Sequence, residues 1–356
     1  MKVLVTGASG YVGGRLVPEL LREGHEVRAS FSDPAKADRF WWHDEVEVVE
    51  MDVLDPAEVA AAVSGVDAVY YLIHGMGGED FAAKDRRSAS NLAAAAARAG
   101  VSRIVYLSGI VPQVPESQLS EHIASRLEVE RLLTRSGITT ITLRAAVIVG
   151  SGSTSFEIIR QISERMLVTT VPDWMNSQVQ PIAVTDVLEA LLGALTVQTR
   201  SRSYDVGGPE RLPYPELLKL YAGVAGLRRP QVTIPALPTD VVGTLAGLLT
   251  DVPTSTVEAL VESLHHDMVC RENDARAALF RSGHTFVPLK ESFVRALARP
   301  QMGRAADTDP RTLDPMGPMP HDPQWSGGHG GGIASLIAGA AAVVTGTLEA
   351  LTKESS

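Results

Sequence analysis

Residues 3–17 contain a hydrophobic strand, a glycine turn and an amphipathic helix in direct succession. The turn has the spacing G-x-x-G-x-x-G, formed by Gly7, Gly10 and Gly13. Glycines with this spacing permit a tight turn, close approach of a pyrophosphate and close packing of the helix on the strand. The helix N-terminus offers free N–H groups to an anion. The segment therefore predicts dinucleotide binding, and the alternative is a turn that serves packing alone.

Strand and helix patterns alternate over the first 150 residues. This alternation predicts an α/β fold, a doubly wound parallel sheet (Rossmann fold) with right-handed crossovers, followed by a smaller C-terminal substrate lobe. Residues 1–150 are expected to form the dinucleotide-binding domain. The predicted strands after the first are 25–31, 46–51, 68–73, 103–107 and 139–149, and the predicted helices after the first are 56–63, 81–99 and 119–135.

The carboxyl ends of parallel strands meet at one crevice, where a ligand is expected. The residue at the end of the second strand is expected to determine which cofactor binds, because an acidic residue there favours NAD and a basic one favours NADP. Ser32 and Asp33 stand there, with Lys36 and Arg39 nearby, so NAD versus NADP stays undecided. The predicted cofactor-binding residues are Gly7, Ser9, Gly10, Tyr11, Val12, Gly13, Ser32, Asp52, Val53 and His74.

Beyond residue 150 the pattern loosens, which is typical of a substrate lobe, and a further strand is expected near 178–183. We assign this lobe to residues 151–300, partly interleaved with the first domain, and expect the apolar helices near 241–249 and 257–264 to close it over the crevice. The composition of 301–332 predicts a flexible linker rich in Pro and Gly.

An apolar C-terminal helix is predicted over 333–351. Its most apolar part, 333–348, falls short of the roughly 20 residues that span a bilayer. A self-packing or interfacial helix is therefore favoured over a membrane anchor. Peripheral membrane contact through this tail stays open.

The composition restricts the partners. A formal charge of −10 argues against nucleic acid, and the expected partner is a small-molecule substrate. A single cysteine, Cys270, fits a reducing compartment and a buried structural role, and no metal-binding spacing is present. The chain opens on its first strand without a signal-peptide pattern, so the expected location is the cytoplasm, or a membrane surface if the tail binds one. The oligomeric state does not follow from the sequence.

Over about residues 1–300 the chain resembles the short-chain dehydrogenase/reductase superfamily, in particular its atypical NmrA-like, NAD(P)-binding branch. The resemblance rests on T-G-A-S-G-Y-V-G at 6–13, on Asp52-Val53, and on Q-P-I-A-V-T-D-V at 180–187. The segment 323–328 is similar to a junction that in some longer relatives precedes an extra domain; here the apolar tail follows instead. The resemblance implies NAD(P) binding and redox chemistry.

The resemblance also implies a Tyr-x-x-x-Lys pair on the helix after the fifth strand, and that pair is missing. His122 and Arg126 stand at the matching place, on one helical face. A histidine of ordinary pKa, about 6.5, can transfer a proton, and an arginine can hold a ribose or phosphate. The alternative, which we favour slightly, is that both are solvated helix residues. Ser108 occupies the place of a serine that binds a substrate oxygen.

Two functions follow from these residues. The first is an oxidoreductase acting on a small carbonyl or alcohol, with His122, Arg126 and Ser108 as catalytic residues. The second is a non-catalytic NAD(P)H-binding redox sensor or assembly protein, which the missing Tyr and Lys support.

Overall fold

The computed structural model describes residues 1–75, 80–298 and 309–326. Its strands are β1 (Lys2–Thr6), β2 (Glu26–Phe31), β3 (Glu47–Glu50), β4 (Ala68–Tyr71), β5 (Arg103–Gly109), β6 (Thr139–Ala145), β7 (Ile148–Val149), β8 (Thr169–Pro172), β9 (Gln178–Val179), β10 (Ile182–Ala183), β11 (Arg202–Val206), β12 (Leu212–Pro213) and β13 (Gln231–Ile234). Its α-helices are α1 (Tyr11–Arg22), α2 (Pro56–Val63), α3 (Phe81–Ala99), α4 (Glu121–Arg135), α5 (Thr154–Arg165), α6 (Val184–Thr196), α7 (Tyr214–Val224), α8 (Thr239–Leu248), α9 (Thr254–Glu262), α10 (Asp274–Leu279) and α11 (Leu289–Ala296).

A parallel sheet of seven strands lies at the centre of the described residues, in the order β11-β6-β5-β4-β1-β2-β3. The strand order reverses beside β1, between β2 on one side and β4 on the other. In an open parallel sheet such a reversal leaves a crevice at the carboxyl ends of the strands. The predicted α/β doubly wound fold is confirmed.

Helices cover both faces of the sheet, because alternate strand residues point to opposite sides. Val3 and Val5 pack in a core that includes residues of α1 and α6, whereas Leu4 packs in a second core with residues of α2 and α3. Tyr70 packs in the first of these cores and Tyr71 in the second, because adjacent strand residues point to opposite faces of the sheet. Neither tyrosine lines the crevice.

Two predicted strands are each interrupted in the structure. The strand predicted over 139–149 leaves the sheet after Ala145, and β7 pairs instead with β10 in a separate two-stranded sheet. The strand expected near 178–183 is divided into β9 and β10 at Gln180 and Pro181. Proline has no N–H to donate to a strand ladder.

The second lobe contains α5, α7, the short sheet β8–β13 and the hairpin of α8 and α9. The hairpin has its own small core, with Val252, Val257 and Val261 buried. This lobe covers the carboxyl ends of the central strands, so it forms the remaining walls of the crevice.

Residues 309–326 are packed on the first domain, although 301–332 was expected to be a flexible linker. Arg15 of α1 is 2% exposed and forms an ion pair with Asp322, at 2.8 and 3.0 Å. Arg15 also donates to the carbonyl of Pro315, Met316 is fully buried, and the His321 ring lies 4.6 Å from that of Phe40. The composition of residues 301–332 does not predict these contacts, because an ion pair between residues 307 positions apart leaves no local pattern in the sequence.

Among the described residues, none of the helices has both the length and the apolar character to cross a membrane. The apolar tail predicted over 333–351 lies outside the described residues.

Candidate functional site

The glycine turn between β1 and α1 has the geometry that its spacing predicts. Gly7 has φ +70°, a conformation that favours glycine, and the N–H of Gly10 donates to its carbonyl at 2.9 Å. A Cβ on Gly13 would lie 2.2 Å from the Gly7 carbonyl oxygen. Because no side chain fits there, α1 packs directly against the turn and its N-terminus faces the crevice.

The end of the crevice near β2 and β3 is lined by small and polar groups. Ser30, Ser32, Asp52 and Val53 face it. The Asp52 carboxylate accepts the N–H of Leu54 at 2.8 Å, which holds this segment in a turn. The side chain of Asp33 does not line the crevice, because it accepts the N–H of Ala35 at the start of a short 3₁₀ helix.

Tyr11 closes one side of the crevice. Its ring packs under the Arg15 guanidinium, 4.1 Å from the ring centre, and its hydroxyl is buried without a hydrogen-bond partner among the described residues. A Cβ on Gly150 would lie 2.2 Å from this hydroxyl, so the glycine leaves the space that Tyr11 occupies. Burial raises the pKa of the Tyr11 hydroxyl well above its usual value.

Polar groups converge where β4, β5 and α4 meet. Ser108 at the end of β5 is 2% exposed, and its hydroxyl has no hydrogen bond of standard geometry within the part of the chain that the structure describes. The same holds for Nδ1 of His74. Since both residues line the crevice, a ligand bound there can form hydrogen bonds with them.

His122 and Arg126 line the crevice together from one face of α4. The alternative that they are solvated surface residues is wrong for His122, which is 6% exposed, and Arg126 is half-buried. Burial and the positive charge of Arg126 lower the pKa of His122 to about 3. The expectation of an ordinary histidine pKa is therefore also wrong, and the imidazole is neutral at pH 7. Burial, Arg126 and His122 together lower the pKa of His74.

Asp85 of α3 fixes the loop after β4 against α4. Its carboxylate accepts the N–H of Gly75 at 2.7 Å and the hydroxyl of Ser125 at 3.1 Å. Gly75 follows His74, and Ser125 precedes Arg126. Burial raises the pKa of Asp85. This one carboxylate thus fixes the relative positions of the two segments that carry the histidines.

Beyond these polar groups the crevice continues into an apolar chamber of the second lobe. The continuous cavity has a volume of about 720 Å³. The helices expected near 241–249 and 257–264 do form part of its wall, as α8 and α9. The apolar wall residues are Ile148, Ile158, Ile159, Ile162, Met166, Pro172, Met175, Leu218, Leu237, Val242, Leu245, Ala246, Leu249, Val257, Leu260, Val261, Leu264 and Met268.

All thirteen residues predicted for the site line this one cavity, whereas their chemical roles stay predictions. Sequence analysis missed the contribution of Ile158 and Ile162 of α5 to the chamber. The apolar positions Ile158 and Ile162, one helical turn apart, could have indicated that contribution.

Other titratable residues are engaged elsewhere. Arg144 pairs with Glu130 at 2.6 and 2.9 Å, and Cys270 is buried, which raises the pKa of its thiol to about 12. Within the described ranges, no group of three or more His, Cys, Asp or Glu residues is placed to hold a metal ion.

Comparison with known proteins agrees with this geometry. Residues 7–173 match the model of a family described as NAD(P)H-binding. Over 118 residues the chain is 37% identical to a 3 beta-hydroxysteroid dehydrogenase/Delta 5-->4-isomerase of Mycobacterium tuberculosis. The aligned region covers 30% of this chain and 31% of the relative. The match thus spans about a third of the relative's length. Residues 7–173 are therefore similar to an NAD(P)H-binding domain.

Two solved structures are similar in fold. A nucleoside-diphosphate-sugar epimerase from Staphylococcus aureus superposes with TM-score 0.66 at 15% identity, covering 83% of this chain and all of that one. The triphenylmethane reductase of Citrobacter sp., complexed with NADP(H), gives TM-score 0.63 at 19% identity, with coverage of 83% and 99%. These similarities extend over the second lobe as well as the first domain.

Proposed function

We propose that this protein is an NAD(P)H-dependent oxidoreductase of the atypical, NmrA-like kind, acting on an apolar molecule that carries a carbonyl or hydroxyl group. One observation carries the proposal. A single cavity runs from the glycine turn, past Ser108 and His122, into the apolar chamber. Such a cavity would hold a dinucleotide at one end and an apolar substrate at the other, with their reacting ends near the polar residues.

The residues of the cavity fit a dinucleotide. Gly7 and Gly13 allow the turn to pack tightly beside the N-terminus of α1, where a pyrophosphate would bind, and Asp52 and Val53 face the expected adenosine end. When bound, the nicotinamide would donate or accept the hydride. The protein then has to position the substrate and stabilise its oxygen.

Ser108 is the residue that we assign to the substrate oxygen. Its buried hydroxyl lacks a hydrogen bond of standard geometry among the described residues and can donate one to a carbonyl whose oxygen becomes negative during reduction. His122 supplies a neutral imidazole, which orients the substrate through hydrogen bonds because its low pKa leaves it uncharged. Arg126 keeps its charge and would hold a ribose hydroxyl or a phosphate oxygen.

We further propose that the site accepts NADPH in preference to NADH. At the end of β2, Ser30 and Ser32 line the crevice, and the carboxylate of Asp33 is held away from it because it accepts the N–H of Ala35. A carboxylate at the end of β2 that faced the crevice would disfavour a 2′-phosphate. Ser32→Asp is expected to weaken NADPH binding at least tenfold, as measured by nicotinamide fluorescence, with NADH binding retained.

Titration with each dinucleotide, followed by a panel of apolar ketones, tests the oxidoreductase. Ser108→Ala should lower kcat/KM about a hundredfold, the scale for removing a single donor to a developing oxyanion, with the dinucleotide Kd unchanged. The matched control is Ser90→Ala on the exposed side of α3, whose hydroxyl bonds only within its own helix. Equal activity of the two variants would remove Ser108 from the reaction.

The second candidate is a non-catalytic NAD(P)H-binding sensor or assembly protein. The observation that favours it is the replacement of Tyr and Lys by His122 and Arg126, because a histidine of pKa about 3 is a poor proton donor at pH 7. Tight dinucleotide binding without oxidation by any carbonyl tested would favour this function over the first.

A further inference from the structure

The wall of the chamber in the second lobe carries no charge. Every described residue between 147 and 268 that lines the cavity is either apolar or bears a hydroxyl group, and none is Asp, Glu, Lys, Arg or His. An ionised group buried without a partner is strongly unfavourable. The part of a substrate that enters this lobe is therefore uncharged.

Four buried residues with hydroxyl groups interrupt this apolar wall. Among the described residues of the second lobe, Ser153, Thr169, Tyr214 and Ser263 are at most 7% exposed and line the cavity. The hydroxyls of Ser153 and Ser263 each donate to a nearby backbone carbonyl at 2.6 Å. The hydroxyls of Thr169 and Tyr214 form no hydrogen bond within the described ranges.

Tyr214 is the larger of these two residues and stands at the start of α7. Leu218, one helical turn later, also lines the cavity, so this face of α7 is directed at the chamber. Buried tyrosine hydroxyls usually have a hydrogen-bond partner. Burial and the charge of Asp267 raise the pKa of Tyr214, so its phenol is protonated at pH 7 and can donate a hydrogen bond.

Strand pairing brings Thr169 close to the start of α7. The side-chain amide of Gln231 donates to the carbonyl of Pro215, the residue after Tyr214, at 2.7 Å. Gln231 is also paired with Thr169 in the ladder of β13 and β8. Both residues with unpartnered hydroxyls therefore lie around Gln231, in one region of the second lobe.

The cavity thus has a polar position in the second lobe, in addition to Ser108 at the end of β5 in the first domain. We propose that Tyr214 donates a hydrogen bond to a second oxygen of the substrate, which is an uncharged molecule with two oxygen functions joined by an apolar body. The inference rests on the proposed function for the place of the reacting oxygen. Tyr214 would select among apolar ketones without taking part in hydride transfer.

Calorimetric binding of paired linear ketones to the full chain tests the proposal. Each pair is a methyl ketone and the symmetrical diketone of the same carbon chain, over a series of chain lengths, with NADP⁺ present so that no reduction occurs. We expect the diketone of the matching length to bind about tenfold tighter, the scale of one neutral hydrogen bond, beyond the statistical advantage of its symmetry.

Tyr214→Phe should remove this preference for the diketone. The matched control is Tyr204→Phe on β11, because Tyr204 is 3% exposed and does not line the cavity. The control should retain the preference in full. Equal affinity of both ketones at every chain length, or a preference that persists in Tyr214→Phe, would overturn the proposal.

The unfolding midpoint tests whether the hydroxyl has a structural role instead. Tyr214→Phe removes only a hydroxyl without a partner among the described residues, so the midpoint should stay unchanged or rise. A lowered midpoint would contradict the assignment of this hydroxyl to a ligand.

Turnover separates this proposal from the proposed function. With NADPH, Tyr214→Phe should raise KM for the diketone about tenfold and leave kcat unchanged. If the diketone preference depends on Tyr214 but no ketone oxidises NADPH, the oxidoreductase is wrong and the contact of Tyr214 stands. If ketones are reduced with the same KM by the native protein and by Tyr214→Phe, the oxidoreductase stands and the contact is wrong.

Discussion

The two ends of the cavity are built in different ways. The cofactor end depends on backbone geometry in a short stretch of chain, where a Cβ on Gly7 would lie 3.2 Å and a Cβ on Gly13 2.2 Å from a backbone oxygen. The substrate end is a wall of apolar side chains contributed by residues from Ile148 to Met268. The close backbone contacts of the glycine turn tolerate no added side chain, whereas an apolar wall can change its shape by substitution. We therefore expect added side-chain atoms at the cofactor end to impair dinucleotide binding. Substitutions at the substrate end should change which substrates are accepted.

The largest effect on stability is expected from breaking the ion pair that joins α1 to residues 309–326. Arg15→Met should lower the free energy of unfolding by about 3–5 kcal/mol, because it leaves Asp322 buried without its partner. Burial already raises the pKa of Asp322, and the loss of Arg15 would raise it further. Urea unfolding measures the effect.

The exposed pair of Arg86 and Glu128 provides the control, and Arg86→Met should change stability little because solvent screens that pair. If both variants have the same stability, the C-terminal segment is not held by the buried pair.

At the cofactor end, Gly13→Ala should cost about 1–3 kcal/mol of stability and weaken dinucleotide binding, since its Cβ would lie 2.2 Å from a backbone oxygen. The matched control is Gly223→Ala in α7, where a Cβ meets nothing within 4 Å, and which should be stabilising. Fluorescence titration and thermal unfolding measure both variants. Unchanged NADPH affinity in Gly13→Ala would show that the turn serves packing alone.

At the substrate end, Met175→Trp should narrow the chamber without reaching the glycine turn. We expect kcat/KM for the bulkiest ketone that is turned over to fall about tenfold, equivalent to about 1.4 kcal/mol, with the NADPH Kd unchanged. Met175→Leu, which nearly conserves the volume, is the control. A parallel loss of NADPH affinity would contradict the separation of the two ends.

The smallest predicted effect is on the pH dependence of stability, through His122, which lines the cavity between its two ends. The pKa of His122 is about 3 in the folded protein and about 6.5 in the unfolded chain, so between these values the unfolded chain binds more protons. Its contribution to stability is therefore complete above about pH 6.5 and is lost as the pH falls toward 3. His122→Gln should reduce the loss of stability between pH 7.5 and pH 5.5 by about 1 kcal/mol, as measured by urea unfolding at each pH.

His321 provides the comparison for this measurement, because burial also lowers its pKa to about 3 although it lies against Phe40 outside the cavity. His321→Gln should reduce the acid sensitivity similarly and leave the turnover of ketones unaltered. An equal loss of turnover in both variants would assign His122 a structural role only.

Much of the first domain could be predicted from local pattern. The helices at Pro56–Val63 and Phe81–Ala99 have the predicted bounds, and the residues expected at the strand ends do face one crevice. Residues 309–326 behave differently. Their Pro and Gly content indicates a linker, yet Met316 and the side chain of Asp322 are buried through contacts that depend on distant Ser151 and Arg15.

The sequence by itself determined the class of sheet, the glycine turn and the set of residues at the crevice, because each depends on a repeating pattern over a few neighbouring positions. The tertiary structure alone decided the ionisation of His122, since burial beside Arg126 depends on elements that pack across the crevice. It also decided the apolar chamber, because a cavity is the space left between elements that are far apart in the chain.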